Sequence, residues 1–380
     1  MQNVFDAAKK LPSPCYIIYE ELLEKNLQIL AEVQRKANCK ILLAQKAFSM
    51  YYFYPLISKY LSGATASGIY EARLTHEYMQ GGENHIFSPA YSEVDFPEIV
   101  KICNHIVFNS FAQWDKFKEQ ALKQKCQCGL RINPEFSTQD HVIYDPCAPG
   151  SRLGITLDKF TGQDLEGISG LHFHTLCEQG AEDLAATLKV IEEKFGKYLY
   201  KMKWLNFGGG HLITRQGYNI NLLIDLIKKM QQKYDVEIYL EPGEAVALDA
   251  GFLSSSVLEI AVNGQQNVIL DTSAACHMPD VIEMPYRPNV IEGFMPKEEK
   301  YTYTFGGPTC LAGDIIGEYS FAEPLKIGDK IIFCDMAIYS MVKNNTFNGM
   351  PLPAIAAVGK DGKITIVKRF NYDDFKMRLS

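Results

Sequence analysis

An eight-stranded (β/α)8 barrel followed by a β-rich domain is the architecture this sequence predicts. Between residues 39 and 243, short apolar runs alternate with amphipathic, charge-rich stretches, the pattern of strand–helix units repeated around a parallel sheet. After about residue 250 the texture changes. Gly, Pro and Tyr become frequent, long helical periodicity fades, and runs at 267–271, 301–305 and 330–334 read as strands.

The strand candidates of the first part are 39–46, 63–67, 84–88, 105–109, 128–133, 169–175, 204–207 and 236–241. Helices are predicted between most of them, at 69–79, 111–125, 184–198 and 221–234. In the last, Leu222, Leu223, Leu226, Ile227 and Met230 recur at helical spacing. Eight parallel strands favour closure into a TIM-type barrel, with a doubly wound open sheet as the alternative. The early run 15–19 is strand-like and can join the β-rich part, with the predicted helix 21–37 as the bridge. The expected division is therefore a barrel over 20–249 and a β-rich, barrel-like domain over 250–380 that also takes in 1–19.

Composition narrows the function classes. At 380 residues, 47% hydrophobic and 22% charged, the chain matches ordinary globular proteins and excludes a collagenous or largely solvated one. Its net charge of −7, with basic residues scattered, offers no cationic face for a phosphodiester backbone, so nucleic acid is not expected as a partner. Ten cysteines are diluted along the chain, and no C-x-x-C pair exists to suggest a zinc ribbon or a redox motif. Residues 1–14 lack the apolar core of a signal peptide, and no stretch of about 18 apolar residues occurs. A cytoplasmic protein with reduced thiols and no membrane partner is the expectation.

In a (β/α)8 barrel the reactive groups collect at the C-terminal ends of the strands. Those ends are polar here. Lys46 follows the apolar run 41–44, where an ammonium loses hydration, so its pKa falls and a neutral amine becomes available to attack an aldehyde. The plain alternative is a lysine reaching solvent as its strand ends. Gly208, Gly209 and Gly210 follow a strand and can bring backbone N–H groups close to a phosphate, or can merely form a sharp turn. The G-x-G-x-x-G fingerprint of dinucleotide sites is absent.

His172 and His174 alternate on one predicted strand, so they share a face, and an imidazole there can stack on a flat ring. A metal pair with Cys177 or His211, or a hydrogen-bonded structural role, is the competing reading. Glu241 ends an apolar strand, where a desolvated carboxylate needs a cationic or N–H partner. A protonated pyridine nitrogen is such a partner, and an ionised acid beside it keeps the ring electron-withdrawing. Cys310, in the turn-forming run 306–314, is a thiol able to donate a proton; taken alone, a structural role is favoured for it.

Together these residues resemble the fold-type III pyridoxal-phosphate decarboxylases, the group of ornithine, diaminopimelate and carboxynorspermidine decarboxylases. The segments 14–19, 44–48, 170–174, 207–210, 241–243, 307–314 and 335–339 fall in the family's order and approximate spacing. The resemblance implies pyridoxal 5'-phosphate as cofactor and no metal. It implies Lys46 as the Schiff-base lysine, His174 as the stacked histidine, Gly208 to Gly210 as the phosphate loop and Glu241 as the partner of the pyridine nitrogen. By the same resemblance Tyr339 contacts the phosphate, and Arg131 and Glu71 support the cofactor. Cys310 is the proton donor contributed across a homodimer interface with shared active sites, and Asp314 is a nearby substrate-side carboxylate.

Two departures bear on the substrate. Thr175-Leu176-Cys177 stands where better-known members have Gly-Ser after the stacked histidine, and Glu244 stands where they carry arginine. Loss of that guanidinium removes a phosphate contact or a clamp for a second carboxylate. The run 277–288 and Glu244 resemble the branch acting on carboxynorspermidine and carboxyspermidine. Glu244 and Asp280 then pair with substrate ammonium groups, and the implied reaction is decarboxylation in polyamine biosynthesis. The alternatives are diaminopimelate or another basic amino acid as substrate, or a non-enzymatic relative that carries the cofactor or binds a partner.

Overall fold

The computed structural model describes residues 2–139 and 142–380. Its strands are β1 (Cys15–Tyr19), β2 (Lys40–Ala44), β3 (Gly63–Ala66), β4 (Glu83–Phe87), β5 (His105–Phe108), β6 (Gln127–Arg131), β7 (Gly170–His172), β8 (Trp204–Asn206) and β9 (Glu237–Leu240). They continue as β10 (Gly251–Asn263), β11 (Gln265–Leu270), β12 (Tyr301–Gly306), β13 (Ile315–Phe321), β14 (Lys330–Cys334), β15 (Ala354–Val358) and β16 (Ile364–Lys368). The chain divides into two compact units, residues 24–246 and residues 1–23 with 247–380.

In the first unit β2 to β9 pair in parallel, each with the next, and β9 returns to β2 with Lys40 opposite Tyr239 and Ile41 opposite Leu240. The barrel is therefore closed, and the open doubly wound alternative is excluded. The four predicted helices form over Ile69–Tyr78, Phe111–Lys123, Ala181–Leu199 and Ile220–Tyr234. Ser110 and Asn219 start two of them by accepting from the backbone N–H groups of Gln113 and Leu222. Asp235, left-handed at φ 54°, ends the last.

Side chains at alternate strand positions fill the barrel, among them Leu42, Val107, Trp204 and Tyr239. Trp204 fits because its neighbours are small. A Cβ on Gly170 would lie 1.9 Å from its ring, and one on Gly129 2.2 Å. Its indole N–H donates to Ser169 Oγ at 3.2 Å.

The second unit is a mixed sheet in the order β13-β12-β11-β10-β1-β15-β16, with β14 also paired to β10. The run 15–19 is part of it as β1, lying between β10 and β15. One core within this unit centres on Tyr16, Phe305, Tyr319 and Phe333, and a second on Ala8, Cys15, Ile17 and Ala356. No described helix is long and apolar enough to cross a membrane.

Candidate active site

The barrel strands end earlier than the sequence predicts, and this places the polar groups in turns above them. β2 stops at Ala44, and Ala47 N–H returns to Ala44 C=O at 3.1 Å, so Lys46 sits on a tight turn. Ala44 N–H donates to Pro242 C=O at 3.2 Å, which ties that turn to the segment after β9. Lys46, Glu241, His172, His174, Arg131 and Gly209 line one cavity with about 380 Å³ of atom-free space, its open mouth included.

Lys46 is exposed to the cavity but surrounded by protein beyond it. Loss of hydration lowers its pKa below the ordinary lysine value; the Arg131 charge adds to this, and Glu241 and Glu71 oppose it. Arg131, at the end of β6, places its guanidinium 4.6 Å from the Phe87 ring centroid, and burial pushes its pKa down to about 10. It therefore remains a cation at neutral pH. Glu71 lies in the first turn of the helix Ile69–Tyr78 and accepts from Ser67 N–H at 2.6 Å.

Glu241 is the most constrained group. Its Oε1 accepts from Asn206 Nδ2 at 2.8 Å and its Oε2 lies 3.2 Å from His172 Nε2. Burial favours the neutral acid, but the interaction with His172, its hydrogen bond included, and the Asn206 bond hold its pKa well below the usual carboxylate range. His172 Nδ1 is buried without a partner. A second N–H there would be an unsatisfied donor, so the neutral ring with its proton on Nε2 is the form that suits the pocket. Burial likewise lowers the His172 pKa.

His174 lies beyond β7. Its Nδ1 accepts from Gly209 N–H at 2.9 Å, which fixes the ring as an acceptor on that side. Burial, then the Lys46 and Arg131 charges, keep its pKa well below normal. Gly208 and Gly210 adopt φ of 70° and 84°, and a Cβ on either would lie 2.4 Å from Phe173 O or 2.0 Å from Leu176 O. The loop is thus packed against the His174 segment. Gly208 N–H donates to Asn206 Oδ1 at 2.8 Å, so of the three loop amides only Gly210 N–H lacks an acceptor among the described residues. His172 faces Glu241 and His174 faces Gly209, and neither is directed at a shared cation.

A group with an aldehyde, a flat basic ring and a phosphate makes specific demands on the donor set. The set supplies an amine of lowered proton affinity, an imidazole, and a buried carboxylate kept ionised while each oxygen has further lone-pair capacity. These residues fit such a group. Asn206 was not predicted. Its signal in the sequence is a polar residue two positions after Trp204 on the inward face of an apolar strand.

The other predicted site residues belong to the sheet unit. Asp314 is buried and accepts from Ser273 Oγ at 2.9 Å, Ala275 N–H at 3.2 Å and Thr309 Oγ1 at 2.7 Å, which organises the turn bearing Cys310. Cys310 is exposed, and its N–H donates to Asn348 Oδ1 at 2.7 Å. Asp280 pairs with Lys343 at 2.5 Å, and Glu283 contacts the same ammonium. Tyr339 has φ of 50°. Glu244 opens the short helix Glu244–Ala247 in the barrel unit.

A closed parallel barrel with a lysine and a buried acid at one mouth, joined in one chain to a mixed sheet, defines a class. The chain belongs to the pyridoxal-dependent decarboxylases: the family described as "Pyridoxal-dependent decarboxylase, C-terminal sheet domain" matches residues 17–337. Among its relatives, a carboxynorspermidine/carboxyspermidine decarboxylase of Campylobacter jejuni is 46% identical over 97% of this chain and 99% of its own. A carboxyaminopropylagmatine decarboxylase of Synechocystis is 42% identical over 97% and 96%. The crystal structure of carboxynorspermidine decarboxylase from Campylobacter jejuni complexed with norspermidine superimposes with a TM-score of 0.90 at 44% identity, covering 97% of this chain and all of that one.

Proposed function

We propose that this chain removes the α-carboxylate of carboxynorspermidine and carboxyspermidine, with pyridoxal 5'-phosphate as cofactor. The observation that carries the reading is Lys46, an amine of reduced proton affinity, lining the same cavity as an ionised Glu241. The 46% identity to the Campylobacter jejuni decarboxylase, over nearly the full length of both chains, supports the substrate class. Bound in the cavity, the cofactor would supply an aldehyde for amines and a protonated ring that draws electron density from the bond to the departing carboxylate.

The chain's own groups then divide the work. Lys46 offers the amine that holds the cofactor and yields to the substrate amine. Glu241 stabilises a proton on the ring nitrogen, with Asn206 and His172 keeping the acid ionised and in place. His174 offers its face to the ring, and Gly210 N–H, with Tyr339, would contact the phosphate. Arg131 and Glu71 set the charge around Lys46. In a homodimer with shared sites, Cys310 would return a proton to the carbon that lost carbon dioxide. Glu244 and Asp280 would pair with substrate ammonium groups, each charge-assisted bond contributing about 1.5–3 kcal/mol.

The similarity to a carboxyaminopropylagmatine decarboxylase favours one further substrate for comparison. The test is carbon dioxide release by purified protein loaded with pyridoxal phosphate, supplied in turn with carboxynorspermidine, carboxyspermidine, carboxyaminopropylagmatine and diaminopimelate. The two carboxylated triamines should give the highest kcat/KM. Preference for diaminopimelate, or no release from any, would refute the proposal.

A further inference from the structure

Residues 307–314, between β12 and β13, form a loop whose base and tip are fastened separately. Gly307 N–H donates to Asp314 C=O at 2.9 Å and closes the base. The Asp314 carboxylate ties that base inward, Oδ1 accepting from Ser273 Oγ and Ala275 N–H and Oδ2 from Thr309 Oγ1. A Cβ on Gly307 would lie 2.2 Å from Asp314 Oδ2, so only glycine permits this approach. None of these bonds is made by Cys310 itself. Among the described residues its one hydrogen bond runs from its N–H to Asn348 Oδ1 at 2.7 Å.

Asn348 belongs to a second turn that is anchored in its own right. Asn345 N–H donates to Cys276 C=O at 2.9 Å and Asn345 Nδ2 to Ala275 C=O at 2.8 Å. Ser273 N–H donates to His277 Nδ1 at 3.3 Å, which leaves the ring proton on Nε2, 3.1 Å from Pro351 C=O. The short helix Ala274–His277 therefore secures both the Asp314 carboxylate and the Asn348 turn. Asn348 stands at φ 58° and ψ 16°, and Gly349 follows at φ 75°. Among residues with a Cβ, Asn and Asp accept that left-handed conformation most readily. Confined there, a short side chain with two rotatable bonds delivers Oδ1 to a fixed point, and Nδ2 makes no bond among the described residues.

We propose that Asn348 is a positioning residue for the decarboxylation, holding the Cys310 backbone so that the thiol is presented in one orientation to the carbon that has lost carbon dioxide. The inference rests on the role proposed for Cys310. In that role the S–H bond breaks, a C–H bond forms on the electron pair left by carbon dioxide, and the thiolate regains a proton from water. Proton transfer demands hydrogen-bond reach, and a displacement of about 1 Å costs on the order of 100-fold in rate. An exposed thiol at a loop tip with a single backbone tether depends on that tether.

The decisive variants separate the tether from the left-handed turn. Asn348→Gly keeps the conformation and removes the acceptor, whereas Asn348→Asp keeps both. In the cofactor-free full chain, hydrogen exchange of the Cys310 amide should be at least about tenfold faster in Asn348→Gly and within about threefold of wild type in Asn348→Asp. Equal exchange in wild type and Asn348→Gly would overturn the proposal. In the loaded protein, Asn348→Gly should lower kcat at least about tenfold with KM changed less than about twofold, and Asn348→Asp should restore most of the loss. The solvent deuterium isotope effect on kcat should rise in Asn348→Gly as proton return becomes slower. Added to Cys310→Ala, Asn348→Gly should lower kcat no further, because the two residues act as a unit; a full additional loss there would overturn the proposal. Wild-type turnover by Cys310→Ala would refute the role of Cys310 and the proposal with it, whereas a slow Cys310→Ala beside an Asn348→Gly of wild-type kcat would overturn the proposal alone.

Discussion

Replacing Asn206 by Leu would probe how the acid at the cofactor site is held. Asn206 makes two bonds from one side chain, Nδ2 to Glu241 Oε1 at 2.8 Å and Oδ1 from Gly208 N–H at 2.8 Å. Leu has nearly the same volume and makes neither. Loss of the charge-assisted bond costs about 1.5–3 kcal/mol, and the orphaned Gly208 N–H about another 1 kcal/mol. The expected destabilisation at neutral pH is therefore about 2.5–4 kcal/mol. Its pH dependence follows from the Glu241 shift. That carboxyl is depressed in the folded protein, so the stability it brings is present above the unfolded value of about 4.3 and is lost as pH falls through the folded one. The gap between wild type and Asn206→Leu should narrow in acid as both proteins come to hold a protonated acid. Urea unfolding at a series of pH values reads this directly. A gap under about 0.5 kcal/mol at pH 7, or one that is flat with pH, would refute the claim that Asn206 supports an ionised Glu241.

Three further outcomes are expected. Because burial lowers the Lys46 pKa, the rate at which the cofactor-free protein takes up pyridoxal phosphate should rise with pH along a limb below the ordinary lysine value of about 10.4; a limb at that value would contradict the site's electrostatics. Gly170→Ala puts a methyl 1.9 Å from the Trp204 ring and should destabilise the barrel by about 1–3 kcal/mol with a shift in tryptophan emission; unchanged stability would mean the ring moves freely. Asp280→Asn weakens the pair with Lys343, and if Asp280 also receives a substrate ammonium, KM for carboxynorspermidine should rise about tenfold with kcat nearly unchanged; an unaltered KM would remove Asp280 from the substrate site.

Much of the fold was legible because it is written in short-range pattern. Eight apolar runs separated by amphipathic helices announced the barrel, and all eight strands formed, each ending earlier than predicted. The excess length came from carrying the strand past its last paired residue into the turn, as at Lys46 and His174. Periodicity could suggest closure but not establish it, since pairing of β9 with β2 joins residues some 200 positions apart. At the site, Lys46 and Glu241 stood out as charged residues ending apolar strands. The roles of Asn206, His172 and the glycine amides did not, because each depends on a partner on another strand. His85 and His105 gave no sign of pairing until their strands lay side by side.

The amine of Lys46, in the proposed function, holds the cofactor. Protein loaded with pyridoxal phosphate, reduced with borohydride, digested and analysed by mass spectrometry should carry the pyridoxyl mass on the peptide containing Lys46, and Lys46→Ala should carry none. A label on another lysine, or full labelling of the Lys46→Ala protein, would contradict the account.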